Sequence, residues 1–119
     1  MPQWVIDEYK SVSGTSPIRA FIDSLEGRDL AEAVALIRLL QERGNTIREP
    51  RSKALGNGLY ELRGKQVRIF YIFFPGRRVV LLDGIIKKQD RIPSGDLRRV
   101  RGYQQEIAER EKGKRGGSK

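Results

Sequence analysis

The apolar positions of this chain fall into short stripes whose spacing changes from element to element. Trp4-Val5-Ile6-Asp7-Glu8-Tyr9 is short and apolar enough to predict a first strand. Residues 11–16, with Gly14 among serines, read as a turn. Ser16-Pro17 then predicts a helix start, because a serine hydroxyl caps free N–H groups and proline fits the first helical position. Ile18, Phe21, Ile22 and Leu25 follow at helical spacing, and Gly27 breaks the helix. A second stripe, Leu30, Ala33, Val34, Ile37 and Leu40, predicts a helix from Arg28-Asp29 to Arg43-Gly44. Two such helices across a short break form a helical hairpin.

Residues 45–58, with Pro50 and two glycines, read as loop. The pattern then turns to β-rich runs: Leu59–Arg63, Gln66–Phe74 and Val79–Ile86, separated by Gly64-Lys65 and by a Pro75-Gly76 turn. These predict an antiparallel meander. Ser94 caps a last helix with Asp96 in its first turn and a thin stripe of Leu97, Val100, Tyr103 or Gln104, and Ile107. The basic, glycine-rich stretch 112–119 predicts a disordered tail after a single domain over 1–111. The order β-α-α-β-β-β-α predicts an α+β fold. A small antiparallel sheet has two N-terminal helices on one face and stays open on the other unless a partner or the last helix covers it.

At 119 residues the chain suffices for one compact domain. Cysteine and histidine are both absent, which excludes disulfides, zinc fingers, thiol catalysis and histidine-based mechanisms. The one methionine is at position 1, so a methionine-rich copper site is excluded as well. No apolar run reaches the ~18 residues of a membrane helix. MPQWVIDEYK lacks the basic start and apolar stretch of a signal peptide. The expectation is a cytoplasmic protein with no membrane partner, no cofactor and no metal.

Charge changes the picture more than composition does. The net charge is +9, unevenly spread: residues 1–43 carry five Lys/Arg against seven Asp/Glu, residues 44–119 nineteen against eight. Such asymmetry points to a polyanion-facing half. In the strand Gln66–Phe74, alternation puts Val67, Ile69, Tyr71 and Phe73 on one face and Gln66, Arg68, Phe70, Ile72 and Phe74 on the other. Arg68 is therefore a charge within an apolar strand. Either it pairs with Glu61 or snorkels to water, or it is a guanidinium held on a sheet and aimed at a phosphate. Lys87-Lys88 and Arg91 follow the last strand, and Arg48, Arg51 and Lys53 precede Leu59–Arg63. Both groups can flank Arg68 at one end of the open face. Basic residues beside Tyr60, Phe70, Tyr71 and Phe74 suit RNA, whose bases stack on aromatics, although strand aromatics more often fill a core. Without histidine, 2′-OH attack on a phosphate is open to clustered Lys and Arg, which shift one another's proton affinity and bind phosphate oxygens without a metal.

LGNGLYELR, VRIFYIF, VVLLDGIIKK and the Ile-Pro before the last helix together resemble the Gp49-like branch of the RelE/HigB toxins. The resemblance covers roughly residues 2–110 and is densest over 53–93. It implies a small sheet with two N-terminal helices, and a toxin of a type II toxin–antitoxin pair. Such toxins are metal-independent endonucleases that cut mRNA on the ribosome and are silenced by an antitoxin, often one with a helix-turn-helix domain. It further implies that Arg68 acts on the scissile phosphate and that Lys53, Lys87 and Lys88 complete the catalytic set. Arg63, through the ELR motif, and Tyr71, as a base-orienting ring, join Arg48, Arg51 and Arg91 as RNA-binding residues. Several HigB-type enzymes use active-site histidines; this chain has none, so its chemistry would follow the Lys/Arg-driven RelE type. Two other classes share the fold: ParE-like toxins that inhibit DNA gyrase, and non-catalytic relatives that only bind antitoxin or RNA.

Overall fold

The computed structural model describes residues 3–117, with side chains through Lys114. Chain order is β1 (Val5–Glu8), α1 (Pro17–Asp23), α2 (Gly27–Arg43), a 3-10 turn (Gly44–Thr46), β2 (Ser52–Gly56), β3 (Leu59–Arg63), β4 (Val67–Phe74), β5 (Arg78–Ile86) and α3 (Ser94–Gly117). The five strands form one sheet in the order β1-β5-β4-β3-β2. The α+β class, the helical hairpin and the β3-β4-β5 meander are as the sequence predicts. The sheet itself is mixed rather than antiparallel: β1 runs parallel to β5, with Ile6 opposite Val79. The α1–α2 hairpin carries the chain across the sheet, so β1 and β2 occupy opposite edges.

Ser16 caps α1 as expected, its hydroxyl accepting the Arg19 N–H at 3.2 Å. The buried stripe of α2 is Ala33, Leu36 and Leu40, while Val34 is exposed. The predicted stripe omitted Leu36. Gly27, predicted as a helix breaker, is the first residue of α2, at φ +59°. The first core layer joins α1 and α2 to Leu62, Val67, Ile69, Tyr71, Val79 and Leu81.

β2 lies inside the stretch predicted as loop. Ser-Lys-Ala-Leu-Gly has no strong alternation, and the strand is an edge strand paired only with β3, with a register shift between Ala54 and Gly56.

Of the two covers the sequence allows for the second sheet face, a partner or the last helix, the structure has the helix, α3. Val100 and Ile107 pack on Leu59, Phe70, Ile72, Val80 and Leu82, and Tyr103 stacks on Tyr9 with ring centroids 4.6 Å apart. A bulge in β5 helps seat the helix. Phe70 pairs with Asp83 and Tyr71 with Leu81, so Leu82 is the extra residue and joins the α3-side core. Asp83 receives the Arg99 Nε at 3.1 Å from α3 and the Gly84 N–H at 2.8 Å. Burial raises the Asp83 pKa, and the Gly84 and Arg99 donors only partly offset it. Arg101 donates to the carbonyls of Gly56 and Leu55 and ties α3 to β2. The helix continues to Gly117, beyond Lys112, where the sequence predicts disorder. Ion pairs along its polar face, Glu106–Arg110 and Glu111–Lys114, support that extension. The last two residues of the predicted tail, 118–119, lie outside the described residues. Among the described residues no helix is long and apolar enough to cross a membrane.

Candidate nucleic-acid interface

Arg68 sits at the start of β4, opposite Arg63 of β3 and Ile85 of β5. It is only 4% exposed. Its Nη1 donates to Glu61 Oε2 at 2.8 Å, and Arg63 Nε lies 3.4 Å from Glu61 Oε1. Glu61 is 1% exposed, so one buried carboxylate holds two guanidiniums. Of the alternatives the sequence leaves open for Arg68, pairing with Glu61 is present. The Arg68 Nε is buried without a hydrogen-bond partner, a donor left unspent.

Two clefts adjoin this arginine. A cavity of about 530 Å³ has Phe21, Ile85, Ile86, Ile92 and Pro93 as an apolar floor and Arg68, Lys87, Lys88 and Arg91 as cations. A second, of about 390 Å³, is lined by Arg51, Arg63, Lys65, Arg68 and Lys87 with Pro50 and Gly64. Arg68 and Lys87 belong to both, so they form the wall between them. Close packing of α1 on β5 lies beside that wall. Gly84 leaves room for Phe21 of α1, where a Cβ would stand 2.4 Å from the ring. Lys87 Nζ pairs with Asp90 Oδ1 at 3.1 Å across the β5–α3 connection. The Asp90 pKa is lowered, chiefly by Lys87, with Arg68 and Arg63 adding to it.

The predicted site residues separate into three groups. Arg68, Lys87, Lys88, Arg91, Arg51 and Arg63 are brought together around the clefts. Lys53 and Arg48 are exposed but line neither cleft; Lys53 is the β2 partner of Glu61, and Arg48 holds the turn into β2 by accepting the N–H groups of Arg51 and Ser52 on its carbonyl. Tyr71 is a correction. It is 1% exposed inside the first core layer, its hydroxyl 2.6 Å from Ser52 Oγ, and burial raises its pKa despite that bond. Its ring serves packing there, because the inward face of β4 is the one α2 covers. Lys65 was missed by the sequence reading: it sits in the β3–β4 turn, where a single lysine beside glycine gives no signal. Among the described residues no group of three or more Asp or Glu is placed to hold a metal ion.

Residues 20–102 match the profile of a family described as phage-derived protein Gp49-like (DUF891). That span is narrower than the 2–110 expected and contains every residue placed around the clefts. No curated protein matches. Among solved structures, one similar chain comes from the toxin–antitoxin complex RelBE2 of Mycobacterium tuberculosis. It has 22% identity and a TM-score of 0.49, with 71% of this chain and 99% of that chain covered.

Proposed function

The chain belongs to the phage-derived Gp49-like family, and we propose that it is the toxin of a type II toxin–antitoxin pair, acting as a metal-independent endonuclease on ribosome-bound mRNA in the cytoplasm. The observation that carries this reading is Arg68, fixed by Glu61 as the shared wall of two cationic clefts. An RNA strand crossing that wall places one phosphate against Arg68 and Lys87 and its neighbours against Arg51, Arg63, Lys65, Lys88 and Arg91. A solvent water takes the proton of the 2′-hydroxyl, the 2′-oxygen attacks phosphorus, the bond to the 5′-oxygen breaks, and a 2′,3′-cyclic phosphate and a free 5′-hydroxyl result. Charge builds on the equatorial phosphate oxygens in the transition state. Preorganised guanidinium and ammonium groups stabilise that charge more than the ground state. Lys88, on the rim, supplies the proton to the departing oxygen, and Lys53 contributes field rather than contact. An antitoxin with acidic side chains and a helix-turn-helix domain silences the toxin by covering the clefts, the sheet face being already occupied by α3.

The test is induced expression in bacteria lacking the antitoxin, with growth and mRNA 5′ ends followed together. Growth arrest with new cuts inside translated messages supports the reading. Arrest with intact messages refutes the nuclease. The control is the double variant Glu61→Gln/Arg68→Met, which removes the buried charge pair as a unit. It is expected to fold and to be non-toxic.

A further inference from the structure

The turn between β3 and β4 borders the smaller cleft, and a side chain of α2 holds it from behind. That side chain is Glu32, which lines neither cleft. We propose that Glu32 is a positioning residue for RNA: by fixing the β3–β4 turn it sets the cations of the smaller cleft in place; this rests on the RNA reading above.

Glu32 Oε1 accepts the N–H of Gln66 at 2.8 Å and that of Val67 at 2.6 Å. The turn closes on itself through the Gly64 N–H, which donates to the Val67 carbonyl at 2.8 Å. The next bond leads to the wall between the clefts. The Lys87 N–H donates to the Gln66 carbonyl at 2.5 Å, so Gln66 is bonded to Glu32 on one side and to the end of β5 on the other. Arg63 and Arg68 are register partners at the feet of the turn, and Lys65 lies within it. Arg63, Lys65, Arg68 and Lys87 all line the smaller cleft. Close packing completes the hold: a Cβ on Gly64 would stand 2.5 Å from Glu32 Oε1, so the carboxylate fits because residue 64 has no side chain. Cations held in place bind a phosphate chain more tightly than the same cations on a loose turn, because less freedom is lost on binding. The charge of Glu32 acts the other way, since a carboxylate beside cations weakens their pull on an anion. Geometry and charge therefore predict opposite signs when Glu32 is removed.

The full-length protein is titrated with a short RNA bearing 2′-methoxy groups, at one salt concentration and below the melting temperature of every variant. Glu32→Ala is expected to weaken binding by about three- to tenfold. Glu32→Gln is expected to stay within about twofold of the parent, because both bonds end on Oε1 and an amide oxygen also accepts them. Gly64→Ala keeps every charge but displaces the carboxylate, and is expected to lose as much as Glu32→Ala. Amide exchange is followed by NMR in the same proteins. Glu32→Ala is expected to speed the Lys87 N–H by a larger factor than the Tyr9 N–H, which is bonded to Leu81 at the far edge of the sheet. A residue that served stability alone would speed both by the same factor. Glu32→Ala binding RNA as tightly as the parent, or more tightly, overturns the proposal. So does a loss in Glu32→Gln equal to that in Glu32→Ala, or equal acceleration of the two amides. Should Glu32→Ala fail to fold, Gly64→Ala decides, and parental affinity in it overturns the proposal. A parent that binds no RNA refutes the RNA reading instead, and the exchange rates alone then support or overturn the hold of Glu32 on Lys87.

Discussion

Arg68→Ala is the substitution most often chosen to test such a site, and here it is expected to fail as a clean test. The guanidinium it removes is the closer of two partners of a carboxylate that is 1% exposed. Breaking a buried ion pair from one side costs about 3–5 kcal/mol, because the surviving charge stays desolvated. Arg63 remains 3.4 Å from Glu61, so the lower end, about 3 kcal/mol, applies. A domain of this length has roughly 6–18 kcal/mol of stability to lose. The loss corresponds to a fall of roughly 10–15 °C in melting temperature. Urea denaturation should show a lower midpoint at unchanged slope for Arg68→Ala. The double variant Glu61→Gln/Arg68→Met should return to within about 1 kcal/mol of the parent, since the buried charges are then gone and the one guanidinium left, Arg63, is 28% exposed and reaches water. Were Arg68→Ala to unfold within about 1 kcal/mol of the parent, Glu61 would not depend on Arg68, and the argument that Glu61 fixes Arg68 in the wall of the clefts would fall.

Gly44→Ala should destabilise by about 2–5 kcal/mol, combining a left-handed residue with overpacking. Its φ is +51°, and a Cβ would stand 2.0 Å from the Trp4 ring; a loss of less than about 1 kcal/mol in urea unfolding would contradict this. Glu32 accepts the N–H groups of Gln66 at 2.8 Å and Val67 at 2.6 Å, which clamps α2 to the β3–β4 turn. Burial raises its pKa, but those donors, with Lys65, bring it below the ordinary value of 4.5. A depressed carboxylate stabilises the fold above about pH 4.5 and loses that contribution as pH falls through its folded pKa. Glu32→Gln should therefore flatten the acid limb of a stability–pH profile, and an unchanged limb would show that the clamp carries no linkage.

The parts of the fold that were legible have their signal in one element. The α1 cap is two adjacent residues, and the β3-β4-β5 meander is three β-rich runs with glycine between them. The parts that were not legible depend on partners distant in sequence. β2 is a strand because β3 lies beside it, not because Ser-Lys-Ala-Leu-Gly favours one. The apolar stripe of α3 is thin, yet the helix docks because Asp83, turned toward it by the β5 bulge, meets Arg99, and because Arg101 reaches the β2 carbonyls. For the site, strand alternation correctly set Arg68 apart from its inward neighbours and offered Glu61 as one of its alternatives, with water or a phosphate as the others. The same alternation placed Tyr71 on the inward face; its assignment to RNA came from the resemblance, and the packing of α2 overrules it.

How much of the +9 charge the RNA feels is a measurable matter. Seven cations line the two clefts: Arg51, Arg63, Lys65, Arg68, Lys87, Lys88 and Arg91. Glu61 neutralises one charge of the Arg63–Arg68 pair and Asp90 faces Lys87, which leaves about five for phosphates. Each phosphate neutralised on a single strand contributes about −0.7 to the slope of log affinity against log salt. The clefts alone therefore give a slope of about −3 to −4, whereas engagement of the whole net charge would give about −6. Binding of a short, uncleavable RNA bearing a 2′-methoxy group, followed between low and moderate salt, separates the two. A slope near −6 would mean that RNA spreads over the basic surface without regard to the Arg68 wall. A slope near −3.5 that shrinks in magnitude by about 0.7 on Lys65→Ala would confine the strand to the clefts, where the attacking oxygen and the fixed guanidinium can meet.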